Sequence, residues 1–235
     1  PSIHAATILG YHQRSSVDDD EVADKARLSF AANRDGWVRT IKDLGLQFHF
    51  VSSEDVAASG IANDKYKVVI LPLAFALSDV EVERLQEFVS RGGVVIADAA
   101  PGWLDQHCAW NANNKLNKLF GIAPVDSPKR DLKLAAGEVS ALPQAAEWNL
   151  PAAISGLRVA EPDIKVSGGT ALLKIADSDA AIVNHSGAGW TIYLNTVWDQ
   201  YPKQRAANFG GATYRQLVNA LLAKAGVRPS VLVTS

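Results

Sequence analysis

A thiol becomes a nucleophile at neutral pH only beside a base, and the chain offers one thiol, Cys108, next to His107. In α/β hydrolytic folds such a nucleophile stands on the tight turn after a buried strand, flanked by small residues. Here the turn after the apolar run Gly93-Val94-Val95-Ile96-Ala97 reads Asp98-Ala99-Ala100-Pro101-Gly102, with neither Cys nor Ser. Cys108 falls downstream in a loop and is expected to be an ordinary half-buried thiol. The histidines His4, His12, His49, His107 and His185 lack the spacing of a helical zinc site, so no metal is expected. Asp18-Asp19-Asp20-Glu21 lacks the glycine and terminal glutamate of a calcium loop and suits the positive end of a helix dipole. Gly187-Ala188-Gly189 joins two strand-like runs instead of opening a helix, and no phosphate-binding glycine loop occurs, so no cofactor is implied. Asn184-His185-Ser186 is a glycosylation sequon in form, relevant only to a secreted chain.

The most suggestive chemistry is aromatic. Trp103 and Trp110 follow the fourth strand-like run, and Trp198 and Tyr201 follow the one ending at Leu194, with Asp98, Asp105, Asp199 and Arg205 close by in sequence. In a parallel sheet the loops leaving the carboxyl ends of the strands gather on one rim, where ligands bind. Three readings of these rings stay open: packing beneath the loops, a protein interface, or stacking on a sugar. Asp98 would be the acid or base of any relocated catalytic site, because it ends a buried strand where desolvation raises a carboxyl pKa.

Composition narrows the field. The 235 residues amount to about one and a half typical domains. At 48% hydrophobic and 20% charged, they can bury a sizeable core. Twenty-three basic against 25 acidic residues leave a net charge of −2, too balanced to argue for nucleic acid or an anionic membrane. A lone cysteine excludes an intrachain disulfide and does not fix the compartment. No apolar stretch approaches the ~20 residues that span a bilayer, so the chain is expected to be soluble. It contains no Met, from which we expect a piece cut from a longer protein.

The elements that must position the rim come in regular order. Ile3 to Leu9 reads as a strand, and a helix follows with Trp37, Ile41 and Leu44 on one stripe, closed by Gly45. Leu46 to Val51 and Lys67 to Leu71 read as further strands, the second buried on both faces. Ser78 and Glu81 form a capping box ahead of the stripe Val82, Leu85, Phe88, Val89. The first hundred residues thus alternate strand and helix, which predicts a mainly parallel, flavodoxin-like or Rossmann-like α/β sheet. Residues 122–155 are expected to be an irregular insertion. Beyond them, short runs at Leu157, Ile164, Ala171, Ala181 and Trp190 predict a β-rich C-terminal part with a hairpin at Gly187, and Tyr214 to Leu222 predicts a last helix. One domain over residues 1–230 is expected, with 231–235 starting a following segment.

Several of these pieces resemble a known family. Gly36-Trp37 with Leu44-Gly45, Phe50-Val51-Ser52-Ser53-Glu54-Asp55, Tyr66 to Pro72 and Gly92-Gly93-Val94-Val95 are similar to the trimerisation domain of family-42 glycoside hydrolases, the bacterial β-galactosidases. Pro101-Gly102 with Asp105 and His107, Leu119-Phe120-Gly121, Tyr193-Leu194 and Leu221-Leu222 with Gly226-Val227 and Pro229 also resemble it. The resemblance implies a three-layer sandwich like that of class I glutamine amidotransferases, without their catalytic residues. It implies a non-catalytic association module that trimerises in the family's manner, whose partners are other copies and a catalytic barrel that this chain does not contain. The alternatives from other classes are a hydrolase or amidotransferase with a relocated site, and a sugar-binding module. Neither nucleic acid nor membrane is among the expected partners.

Overall fold

The computed structural model describes residues 2–6, 30–107, 109–124, 135–154, 157–161, 163–208 and 210–229; Cys108, the acidic run at 18–21 and residues 231–235 lie outside them. Four strands and three helices alternate first: β1 Ser2–Ala6, α1 Phe30–Asp43, β2 Phe48–Val51, α2 Ser53–Ser59, β3 Tyr66–Leu71, α3 Asp79–Ser90 and β4 Val94–Ala97. A short α4, Lys115–Phe120, leads into β5 Ala135–Ala136, β6 Val139–Ala141, a 3-10 turn at Pro143–Trp148, β7 Ala153–Ile154 and β8 Arg158–Val159. Then come β9 Thr170–Ile175, β10 Ser178–Ser186, β11 Gly189–Leu194, α5 Tyr201–Ala206 and α6 Ala212–Lys224.

Nine of the strands form one sheet in the order β2-β1-β3-β4-β11-β10-β9-β6-β7, and β5 pairs with β8 separately. The fold is therefore α/β, but the expected mainly parallel sheet needs correction. The pairings from β2 across to β11 are parallel, and those from β11 across to β7 are antiparallel, half of the sheet each. The reason lies in the connections. β9 reaches β10 through Ala176 and Asp177, and β10 reaches β11 through Gly187 and Ala188; two residues can only reverse a chain, whereas a parallel pair needs a crossover of a dozen or more. The stretch expected to be irregular supplies β6 and β7, which extend this antiparallel half. Both are too short to carry a readable alternation. Val166 makes one isolated bridge to Ile122 instead of the expected strand.

Helices cover both faces, which explains the unbroken apolar runs. Along β3 and β4, Val68, Ile70, Val94 and Ile96 face Trp37 and Ile41 of α1 and Leu217 and Leu221 of α6. Their neighbours Val69, Leu71, Val95 and Ala97 face Val56 of α2, Leu85, Phe88 and Val89 of α3, and Phe120 of α4. Successive side chains of a strand point to opposite faces, so a strand buried twice has no polar position to spare. The capping box forms as expected: Ser78 Oγ accepts from the Glu81 amide, and Glu81 Oε2 accepts from the Ser78 amide at 2.7 Å. No helix among the described residues is long and apolar enough to cross a membrane.

Candidate functional site

The turn after β4 holds a buried polar network. Asp98 is fully buried. Its Oδ2 accepts from Asn33 Nδ2 at 2.6 Å and Trp37 Nε1 at 2.8 Å, both on α1, and its Oδ1 accepts from the Leu73 amide at 2.5 Å. Burial pushes its pKa up to about 7, while the three donors pull it back. Leu73, at φ +43°, occupies the left-handed region that aims its amide inward. Ala100, two residues beyond Asp98, is also left-handed at φ +57°. Its amide meets the Tyr193 hydroxyl, which donates to Glu161 Oε2 at 3.4 Å; burial and the Glu161 charge push the tyrosine well above its ordinary value. Asn195, just beyond β11, fixes that loop, accepting from the Glu161 amide at 2.9 Å and donating to its carbonyl at 2.7 Å.

What this turn can do follows from its surroundings. A catalytic carboxyl must reach substrate, and Asp98 reaches three donors and no solvent. Leu73, Ala99, Ala160 and Val197, none more than 1% exposed, pack as an apolar plug above the strand ends. The arrangement ties α1 to the loop after β3 and the turn after β4. Sequence reasoning found Asp98 but missed Asn33, Glu161 and Asn195, whose types carry no signal until the fold brings them together.

The expected aromatic rim divides into separate sites. Trp198 is fully buried, stacked on Trp37 with centroids 4.3 Å apart and edge-on to Tyr214 at 5.5 Å. Tyr201 is buried beside Tyr214. These rings form the floor beneath α1 and α6, because Tyr201-Pro202 opens α5 and turns the chain back over the sheet instead of letting it run along the rim. Trp103, buried, meets the half-buried Trp110 edge-on at 5.8 Å. Asp105 accepts from the amides of Ala109 and His107, which hold its carboxyl below the usual range and close a local turn. Asp199 pairs with Arg158 of β8.

Arg205 belongs to a third group. Its Nε and Nη2 grip Asp43, the last residue of α1, at 2.6 and 2.9 Å, and the Tyr201 hydroxyl donates to the same carboxylate at 2.6 Å. Burial pulls the Asp43 pKa upward, but the bonds from Arg205 and Tyr201 outweigh it and leave it below 3.8. Such a lowered carboxylate contributes stability above its unfolded value, lost as pH falls through the folded one. Arg205→Ala is expected to lower stability in urea denaturation at neutral pH by only a small amount, the pair being partly screened. The gap to wild type should close once acid protonates Asp43, and a gap independent of pH would assign the loss to packing instead. No group of His, Cys, Asp and Glu side chains able to hold a metal converges among the described residues.

A sheet covered by helices on both faces, with a plugged turn where catalytic α/β proteins place a nucleophile, defines the class: an α/β domain with a sealed strand-end site. The profile of the β-galactosidase trimerisation domain matches residues 4–228, so the chain belongs to that family. Solved structures agree on the fold. A β-galactosidase from Bacillus circulans sp. alkalophilus is 17% identical with a TM-score of 0.66, over 91% of this chain and 29% of its own. A cold-adapted β-galactosidase from Rahnella sp. R3 is likewise 17% identical with a TM-score of 0.66, over 97% and 32%. An exo-β-1,4-mannosidase from Opitutaceae bacterium strain TAV5 is 14% identical with a TM-score of 0.57, over 95% and 36%. The chain thus spans about a third of the length of these structures. Among curated proteins none matches it.

Proposed function

We propose that this chain is a non-catalytic association module of a carbohydrate-active enzyme, assembling copies of itself beside a glycosidase barrel. Family membership over residues 4–228 carries the reading. The sealed turn at Asp98 supports it, since a pocket filled by Leu73, Ala99, Ala160 and Val197 serves packing better than turnover. The remaining length of the solved relatives leaves room for a catalytic domain. We further read the fold as flavodoxin-like and akin to class I glutamine amidotransferases, one domain over residues 1–230. The parallel order β2-β1-β3-β4-β11 supports this, being the doubly wound order 2-1-3-4-5. So does the left-handed Ala100 where a nucleophile would stand. The mass of the chain in solution, read by size-exclusion chromatography with light scattering over a range of concentrations, tests the association. A trimer is the expected result, and a monomer up to the highest soluble concentration would overturn it.

A further inference from the structure

Asn33 stands between two groups that fix its side-chain amide in one orientation. Its Nδ2 donates to Asp98 Oδ2 at 2.6 Å, and its Oδ1 accepts from the Trp198 backbone amide at 2.6 Å. Asn33, Asp98 and Trp198 are all fully buried. The carboxyl's other partners are the Trp37 indole N–H, on Oδ2 at 2.8 Å, and the Leu73 backbone N–H, on Oδ1 at 2.5 Å. All three side-chain contacts are donors, the arrangement an ionised carboxylate needs. A protonated carboxyl adds an O–H that needs an acceptor. An indole and a backbone N–H can only donate, whereas a primary amide carries a donor and an acceptor and exchanges them by a half-turn.

We propose that Asn33 is a proton-driven relay: with Asp98 ionised it holds the Trp198 backbone, and when Asp98 takes up a proton the amide reverses and lets go of the loop that leaves β11. A hydroxyl at Oδ2 still accepts from Trp37 while it donates to the reversed Asn33 Oδ1. Nδ2 then faces the Trp198 N–H, donor against donor, and that bond is lost. The Trp198 backbone is the joint between β11 and α5, since its carbonyl accepts from the Tyr201 amide that opens α5 at 3.1 Å. Its ring remains stacked on Trp37, so the backbone is loosened while the core stays packed. Burial pushes the Asp98 carboxyl up to about 7, which places the relay in the neutral range: engaged above about pH 7 and released below it. The titratable groups facing Asp98 are Tyr193 of β11, which feels its charge, and Glu161, which accepts from the Tyr193 hydroxyl. Burial keeps Tyr193 protonated throughout this range, while α1 and the turn after β3 face Asp98 with Asn33, Trp37 and Leu73, none of which titrates. The relay is independent of the association reading.

Nuclear magnetic resonance on the isotope-labelled 235-residue chain at pH 5.5 and pH 8 tests this. The Asp98 carboxyl carbon is expected to titrate between them, and the Asn33 side-chain NH2 signals to shift in the same step. The hydrogen-exchange protection of the Trp198 amide should fall about fivefold to tenfold on going to pH 5.5, the worth of one neutral hydrogen bond. Protection of Val95 and Ile96 in β4 should hold or rise, because the protonated carboxyl favours the folded state. Asp98→Asn, whose NH2 also asks for an acceptor, should show the low Trp198 protection at both pH values. An Asp98 carbon that does not move, Trp198 protection that stays level while Asp98 titrates, or a fall shared by Val95 and Ile96 would each overturn the relay, and wild type alone decides it if the variant does not fold.

Discussion

Replacing Asp98 by Ala is expected to cost about 3–5 kcal/mol, the range for a buried polar group whose partners are left unmatched. The change strands three buried donors at once: the Asn33 amide, the Trp37 indole N–H and the Leu73 backbone N–H. It also leaves a small void that the plug of Leu73, Ala99, Ala160 and Val197 cannot close without moving the strand ends. The pH dependence tells this role from simple packing. With a pKa near 7 in the fold against an ordinary value of 3.8, the carboxyl favours the folded state fully below pH 3.8, and this contribution is lost as pH rises through about 7. About three units, the three donors' pull already included, correspond to at most about 4 kcal/mol, of which the two units above pH 5, roughly 3 kcal/mol, are lost by pH 8. Urea denaturation at pH 5 and pH 8 measures it. Wild type should be less stable at pH 8 from this source, and Asp98→Asn, which cannot ionise, should lose that slope while keeping a lower baseline, because its NH2 faces a donor. A wild-type slope equal to that of Asp98→Asn would show that the donors outweigh desolvation and that the carboxylate is ionised throughout.

The parallel half of the sheet was legible because each of its features is local. The runs Val68 to Leu71 and Val94 to Ala97 advertise burial on both faces, and Ser78 lies three residues from Glu81, the span of a single capping interaction. The antiparallel half was legible only in pieces. β9, β10 and β11 are long enough to show as runs, but β6 and β7 are two or three residues each and owe their existence to the neighbours they pair with. The site was least legible of all. Asp98 could be singled out as a carboxyl ending a buried strand, yet its partners Asn33 and Trp37 lie 65 and 61 positions earlier, a separation at which residue type and spacing say nothing. The aromatic set stayed open among its readings for a related reason. A Trp or Tyr after a strand has the same composition whether it faces solvent or the underside of a helix, and α5 turns Trp198 and Tyr201 beneath α1.

Gly36→Ala should reverse the sign that helix propensity assigns it. In the middle of a helix Ala is worth about 1 kcal/mol over Gly, so at an exposed position the change would stabilise. Here a Cβ on Gly36 would lie 2.0 Å from the Trp198 carbonyl oxygen and 2.8 Å from its carbon, closer than any real contact. That backbone cannot retreat cheaply. The Trp198 amide donates to Asn33 Oδ1 at 2.6 Å, its ring is stacked on Trp37, and its carbonyl accepts from the Tyr201 amide that opens α5. Asn33, Gly36 and Trp37 lie on one face of α1, so the helix must lift away from β11's exit, and lifting it pulls Asn33 and Trp37 off Asp98. Overpacking of this kind costs roughly 1–3 kcal/mol, and loosening the buried Asp98 bonds adds to it, so the expected loss is about 3–4 kcal/mol. In a domain of this size that corresponds to a fall in melting temperature of about 10 °C. Ala31→Gly, at an exposed position of the same helix, serves as the control and should cost no more than about 1 kcal/mol. If Gly36→Ala melted at or above the wild-type temperature, α1 would have to sit farther from the Trp198 backbone than the Asp98 network allows, and that network would not be what holds the helix down.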